Sequence, residues 1–181
     1  MKRIRNNNKQ AGFTLVEALI AVGVMGAGIL SLLPIFTAGL KANSQMQIQY
    51  IAQQKAQEAM ESIFTARDTR LVSSAKIYNV SEGGIFLDGP QPLLAAGPDG
   101  LYGTADDDAS NPDSIVTGPG PDQMFGTADD VQVNLNPFMT RTIQITPNVQ
   151  PNLKNITITI NYTYEGVSSS YVLQGLISTF D

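Results

Sequence analysis

Hydrophobic residues dominate from Phe13 to Leu40, where Glu17 is the only charged side chain. That run of 28 residues is longer than the about 20 that cross a bilayer as a helix. Beyond Leu40 the apolar run stops, but a helical period continues. Ala52, Ala56, Ala59, Met60, Ile63 and Phe64 recur at i, i+4, i+7, i+8, i+11 and i+12, one face of a helix. Gln53, Gln54, Lys55, Gln57, Glu58 and Glu61 fall on the other face. The polar stretch Asn43–Gln49 between the two patterns reads as the exit from a membrane. The spacing predicts one helix from Phe13 to about Ala66, roughly 80 Å long at 1.5 Å per residue. Its first half is apolar all round, and its second half packs one face on a domain.

The C-terminal third changes period. Ile143 and Ile145 alternate with polar residues. Ile156, Ile158, Ile160, Tyr162 and Tyr164 alternate with Thr157, Thr159, Asn161 and Thr163, and Tyr171–Phe180 is a further β-rich run. Period-two alternation marks half-buried strands. Glu165–Ser168 reads as a hairpin connection, and Ile85–Leu87 as a short strand after the Gly83–Gly84 turn. The pattern predicts an α+β fold. In it a long N-terminal α-helix, its hydrophobic half protruding, lies against the isoleucine face of an antiparallel β-sheet of three or four strands. Between them, Gly89–Pro137 is rich in Gly, Pro, Asp and Ala and reads as a long acidic loop region. A loop of that length is functional, disordered or held by something else.

The junction before the apolar run carries the most specific signal. Met1–Ala11 holds Lys2, Arg3, Arg5 and Lys9 and no acid, and Gly12–Leu19 reads GFTLVEAL. A lone carboxylate five residues into an apolar segment is costly unless it meets a partner. A conventional secretory signal is cut after its apolar region, whereas the glycine here precedes it. This order of parts resembles the class III signal of type IV pilin-like proteins, which include pilus subunits and the pseudopilins of type II secretion.

The resemblance implies that prepilin peptidase removes residues 1–12 by cutting after Gly12, and that Phe13 becomes an N-methylated N-terminus. It implies that Glu17 pairs with a free N-terminal amine, often a neighbouring subunit's, and that Pro34 is the helix-bending proline many pilins carry. Gly23, Gly26, Gly28 and Pro34 lower helix propensity in any case, which predicts a bent or softened segment. Residues 13–40 are then the transmembrane and filament-core helix. Residues 41–181 form a periplasmic or extracellular domain with the acidic insertion 89–137. The basic leader fixes the N-terminus in the cytoplasm by the positive-inside rule.

Ala18–Leu33 and Ala52–Ile63 are similar to minor subunits of the pilus-modification and pseudopilin I type. The expected partners are other pilin or pseudopilin subunits, the peptidase and the bacterial inner membrane. A major pilin, an adhesive or DNA-uptake tip module, and an uncleaved bitopic protein are the rival readings.

Composition narrows the function further. Without residues 1–12 the chain keeps seven Lys or Arg against 16 Asp or Glu, a net charge of −9. General nucleic-acid binding is not expected of such a chain. There is no His, Cys or Trp, which removes Ser-His-Asp and Cys-His nucleophile systems and the usual zinc sites. No phosphate-binding or dinucleotide fingerprint appears, and the chain is read as a non-enzyme.

One motif is left over. Gly97–Asp107 (GPDGLYGTADD) recurs as Gly120–Asp130 (GPDQMFGTADD), with eight of eleven positions identical at an offset of 23. Between Lys76 and Arg141 stand ten acids and no base. Hard cations such as Ca²⁺ take carboxylate oxygens, often on glycine-rich turns. Asp99, Asp106 and Asp107 in the first repeat, and Asp122, Asp129 and Asp130 in the second, are the candidate ligands, with Asp108 and Asp113 secondary. The motif is similar to aspartate-rich calcium loops of secreted bacterial proteins, although it is neither an EF-hand nor a nonapeptide repeat. A duplicated, solvated acidic loop is the alternative. Tyr102 and Phe125, at matching places, are expected to anchor the loops to the sheet.

Overall fold

A computed structural model describes residues 12–179. The basic leader and Phe180, which carried parts of the reading above, lie outside the described residues. The described chain falls into two parts divided at Ser44 and Gln45, and one helix, α1 (Leu15–Asp68), contributes to both.

In the first part α1 begins with a cap. Thr14 Oγ1 accepts the Glu17 backbone N–H at 3.2 Å, so Thr-Leu-Val-Glu supplies the Thr half of a capping box. Glu17 also places negative charge in the first turn, where the helix dipole favours it. The helix continues through Gly23, Gly26, Gly28 and Pro34 without a break. Ser31 and Thr37 turn their hydroxyls back onto the carbonyls of Gly28 and Pro34. Nearly every side chain of this part is exposed, and the segment is long and apolar enough to cross a membrane.

In the second part α1 buries Ala52, Lys55, Ala56, Ala59, Met60, Ile63 and Ala66, and Phe64 packs at the edge of this stripe. The alanines make that face smooth. Lys55 corrects the sequence reading, which put it on the polar face. It lies at i+3 from Ala52 and so on the buried stripe, where it is ion-paired.

The main sheet has the order β1–β6–β7–β8 and is antiparallel throughout. Its strands are β1 (Gln91–Pro92), β6 (Met139–Pro147), β7 (Leu153–Tyr164) and β8 (Val167–Ser178). Ile143 pairs with Ile158 and Ile145 with Ile156, and Leu173 and Gly175 of β8 extend those rows. A Cβ at Gly175 would stand 3.0 Å from the end of the Met60 side chain, which is how closely α1 approaches the sheet. Glu165 and Gly166 both take positive φ, 48° and 79°. The β7–β8 hairpin is therefore a two-residue loop of the type whose twist suits the strands.

Two inward positions carry charge. Arg141 follows the inward period of Met139, Ile143 and Ile145, and Lys154 that of Ile156–Tyr162. Lys154 Nζ donates to the carbonyls of Ser74 and Ile77 and sits 3.7 Å from the centre of the Tyr78 ring. It ties the first 3₁₀ turn after α1, Ser74–Lys76, to the sheet; a second turn, Val80–Glu82, follows.

The reading of residues 89–137 as loop needs correction. They contain β2 (Leu94–Ala95), β3 (Asp108–Pro112), β4 (Ser114–Gly118) and β5 (Val131–Asn134), besides β1. β2 pairs with β3, and β4 with β5. Each acidic repeat thus closes one hairpin, and the duplicated unit is a ribbon with its loop. These short ribbons are mostly exposed, and the one alternation that could have announced them is Val131, Val133 and Leu135 against Gln132 and Asn134. Ile85–Leu87 likewise forms a single parallel bridge, Asn79 to Phe86, in place of a strand.

Candidate functional site

The first candidate site is the start of α1. Gly12 and Phe13 precede the cap residue Thr14 outside any helix or strand, both exposed, Phe13 at 81%. The bond between them is open to a peptidase. A cut there creates an ammonium group at the positive end of the helix dipole, and a carboxylate one turn in opposes that unfavourable charge. Glu17 is exposed and belongs to this first turn; Pro34 lies on the exposed apolar segment. The sequence reading missed Thr14, although the Thr-x-x-Glu spacing was there to be read as a cap.

The second candidate site is the pair of acidic loops. Four side-chain bonds recur in both, and one differs: the Thr104 hydroxyl also reaches Asp107 Oδ1 at 3.3 Å, whereas that of Thr127 reaches the Met124 carbonyl at 3.1 Å. The backbone N–H groups of Leu101 and Met124 donate to Asp99 and Asp122 Oδ1, both at 2.8 Å. Gly103 and Gly126 N–H donate to Asp107 and Asp130 Oδ2 at 2.8 and 2.7 Å. The hydroxyls of Thr104 and Thr127 donate to Asp106 and Asp129 Oδ1, both at 2.7 Å. Asp99 and Asp122 N–H point at the second oxygens of Asp106 and Asp129. Those threonine hydroxyls hold the Asp106 and Asp129 carboxyls below the ordinary carboxylate range.

Within each loop, then, the three candidate ligands accept from the loop's own donors. Among the described residues no three acidic side chains come together as a metal-holding group. Each carboxylate keeps acceptor capacity beyond these bonds. Asp130 Oδ1 is buried without a hydrogen-bond partner among the described residues. Asp108 accepts from Ser110, and Asp113 serves a different network.

The loops differ in what lies beneath them. The first is packed: Leu101, Gly103 and Thr104 are buried, and Tyr102 packs on the core. The Arg141 guanidinium lies 4.5 Å from the centre of the Tyr102 ring. Burial pulls the Arg141 pKa down, while the charges of Asp107 and Asp113 oppose that shift. Lys55 Nζ bonds Glu58 at 2.8 Å and Asp113 at 2.9 Å. Burial pushes this ammonium down, but the bonds to Glu58 and Asp113 outweigh it and the net direction is up. The expected anchoring by Tyr102 therefore holds. That by Phe125 does not, because Phe125 is exposed.

Loop closure depends on bare Cα atoms. A Cβ at Gly97 would stand 2.3 Å from the Asp106 carbonyl oxygen, and one at Gly120 2.2 Å from that of Asp129. Gly97→Ala is expected to destabilise the protein by about 2–3 kcal/mol, because the loop it distorts is packed on the core. Gly120→Ala distorts only an exposed loop and is expected to shift the melting temperature by less than about 2 °C. Thermal melts of the two full-length variants in detergent check the contrast; equal losses would contradict it.

Residues 7–33 match the family model for the prokaryotic N-terminal methylation motif, a span that takes in Gly12, Phe13 and Glu17 and ends before Pro34. No curated protein and no solved structure matches the chain. The chain carries the class III processing signal of type IV prepilins, followed by a long apolar helix.

Proposed function

We propose that this chain is a structural subunit of a type IV pilus or of a type II secretion pseudopilus. In this reading residues 13–40 anchor it in the inner membrane with the leader in the cytoplasm. Prepilin peptidase cuts after Gly12, Phe13 is N-methylated, and the helix then leaves the bilayer for a filament core. The methylation motif at residues 7–33, continuous with an exposed apolar helix, carries the reading.

One physical argument joins the two environments. A helix that is apolar on every side is stable in lipid, and it is equally suited to a bundle of like helices. The same surface therefore serves storage and assembly. Glu17 is the exception. It supplies a counter-charge for the new amine of Phe13, and in a dry bundle such a pair fixes register more than it adds net energy. The likeness of Ala18–Leu33 and Ala52–Ile63 to minor subunits favours a minor place in the filament.

Sheared filaments test the proposal. The chain is expected in the filament fraction of cells with an active prepilin peptidase and absent from it when the peptidase is deleted. Equal recovery from both strains would refute it.

A further inference from the structure

The two acidic hairpins are one motif used twice, one copy packed and the other bare. Leu101 is 1% exposed, whereas its counterpart Met124 is 63% exposed and Phe125 69%. A Cβ at Gly103 would press on Ile143 at 2.9 Å, while one at Gly126 would meet nothing within 4 Å. Four side-chain bonds recur at matching places in the two loops, so the main difference is one of seating. The remaining threonine bond goes to Asp107 in the first loop and to the Met124 carbonyl in the second. Burying a Phe or Met side chain is worth about 1.5–3 kcal/mol, and the second loop forgoes most of this twice over. Exposed apolar side chains are ordinary on a surface; what distinguishes this pair is that the sister copy of the same loop seats its apolar tip.

The first loop shows what chemistry such a loop fits. Leu101 enters an apolar pocket, the Tyr102 ring lies against the Arg141 guanidinium, and Asp107 lends its charge to that same guanidinium. A cation is attracted both to the ring face and to the carboxylate. The second loop keeps every element of this: an apolar tip, an aromatic ring, and Asp122, Asp129 and Asp130 in a stretch with no base between Lys76 and Arg141. Arg141 is already occupied by the first loop.

We propose that the second hairpin is a docking finger. Met124 and Phe125 enter an apolar slot flanked by an arginine or lysine on a neighbouring subunit of the filament. The proposal rests on the reading of the chain as a filament subunit and names one of its contacts.

The test places p-benzoylphenylalanine at position 125 of the full-length chain, in cells that assemble the filament, with position 102 as control. Irradiation is expected to join position 125 to another subunit bearing the methylation motif, with Lys or Arg in the cross-linked peptide. Asp122→Asn with Asp129→Asn is expected to lower that yield about two- to fivefold. Position 102 is expected to give no intermolecular product. The double variant Met124→Ala, Phe125→Ala is expected to be cut after Gly12 and to melt within about 2 °C of the parent. Its recovery in filaments is expected to fall about tenfold. Parental recovery of that variant overturns the proposal. So does the absence of a subunit adduct when the chain is cut and present in filaments, as does an adduct to lipid or polysaccharide alone. A chain left uncut and outside filaments instead removes the filament reading, and the contact with it.

Discussion

Glu17→Gln is expected to yield a chain that is inserted, cut after Gly12 and folded, yet reduced about 100-fold in filaments. Glutamine retains what the helix start needs. It satisfies the capping-box pattern with Thr14, whose hydroxyl already accepts the residue 17 N–H. It removes the negative charge alone. If the carboxylate serves only the cap and the dipole, the loss is about 0.3–1 kcal/mol, and assembly is nearly normal. If it neutralises the Phe13 ammonium in a dry helix bundle, removing it leaves one charge uncompensated, a cost of about 3–5 kcal/mol. The lower bound is two powers of ten in an equilibrium. Quantitative blotting of sheared filaments against total membranes decides between the two, and near-parental incorporation of Glu17→Gln would leave Glu17 as a cap.

Asn79→Ala is expected to be the most damaging single change in the second part of the chain, at about 3–4 kcal/mol. The buried Asn79 amide donates from Nδ2 to the Ile143 carbonyl and accepts the Ile145 N–H at Oδ1, both at 2.8 Å. It thereby does for β6 what a neighbouring strand would do, beyond the two residues that β1 covers. Alanine leaves a buried donor and a buried acceptor unpaired, each costing about 1–3 kcal/mol. In a chain of this size that loss lowers the melting temperature by roughly 6–16 °C. Melting of the full-length variant in detergent checks it; a shift below about 2 °C would mean that β6 is not held in this way.

Periodicity carried most of the fold. The Ala52–Phe64 stripe and the isoleucine rows of β6 and β7 are direct consequences of burying one face of each element, so spacing alone revealed them. Arg141 and Lys154 were hidden by the same logic. Each occupies an inward position by period, but a charge suggests the outside. Lys154 is held by two backbone carbonyls, whereas the Arg141 guanidinium has the Tyr102 ring but no hydrogen-bond partner for its three nitrogens among the described residues. Asn79 left no pattern at all, because its work is done by one side chain on another strand's backbone. The ribbons around the acidic loops are short and mostly exposed, with only Ile115 of their strands packed against the core, so their apolar signal is weak.

The candidate sites divide the same way. GFTLVEAL spelled out the methylation motif that the family model matches at residues 7–33, because that signal is a local run of sequence; the cut after Gly12 is the proposal built on it. The repeat of Gly97–Asp107 at Gly120–Asp130 was equally visible, but not that its aspartates close their own turns or that only one copy is seated. That difference depends on what lies under each loop, which spacing does not encode.

The intact mass of the chain extracted from membranes of cells with an active prepilin peptidase tests the central claim most directly. The account predicts a species that begins at Phe13 and carries one added methyl group on its terminal amine. A species that still begins at Met1 would contradict it, because without the cut Phe13 has no amine to offer and Glu17 has no charge to meet.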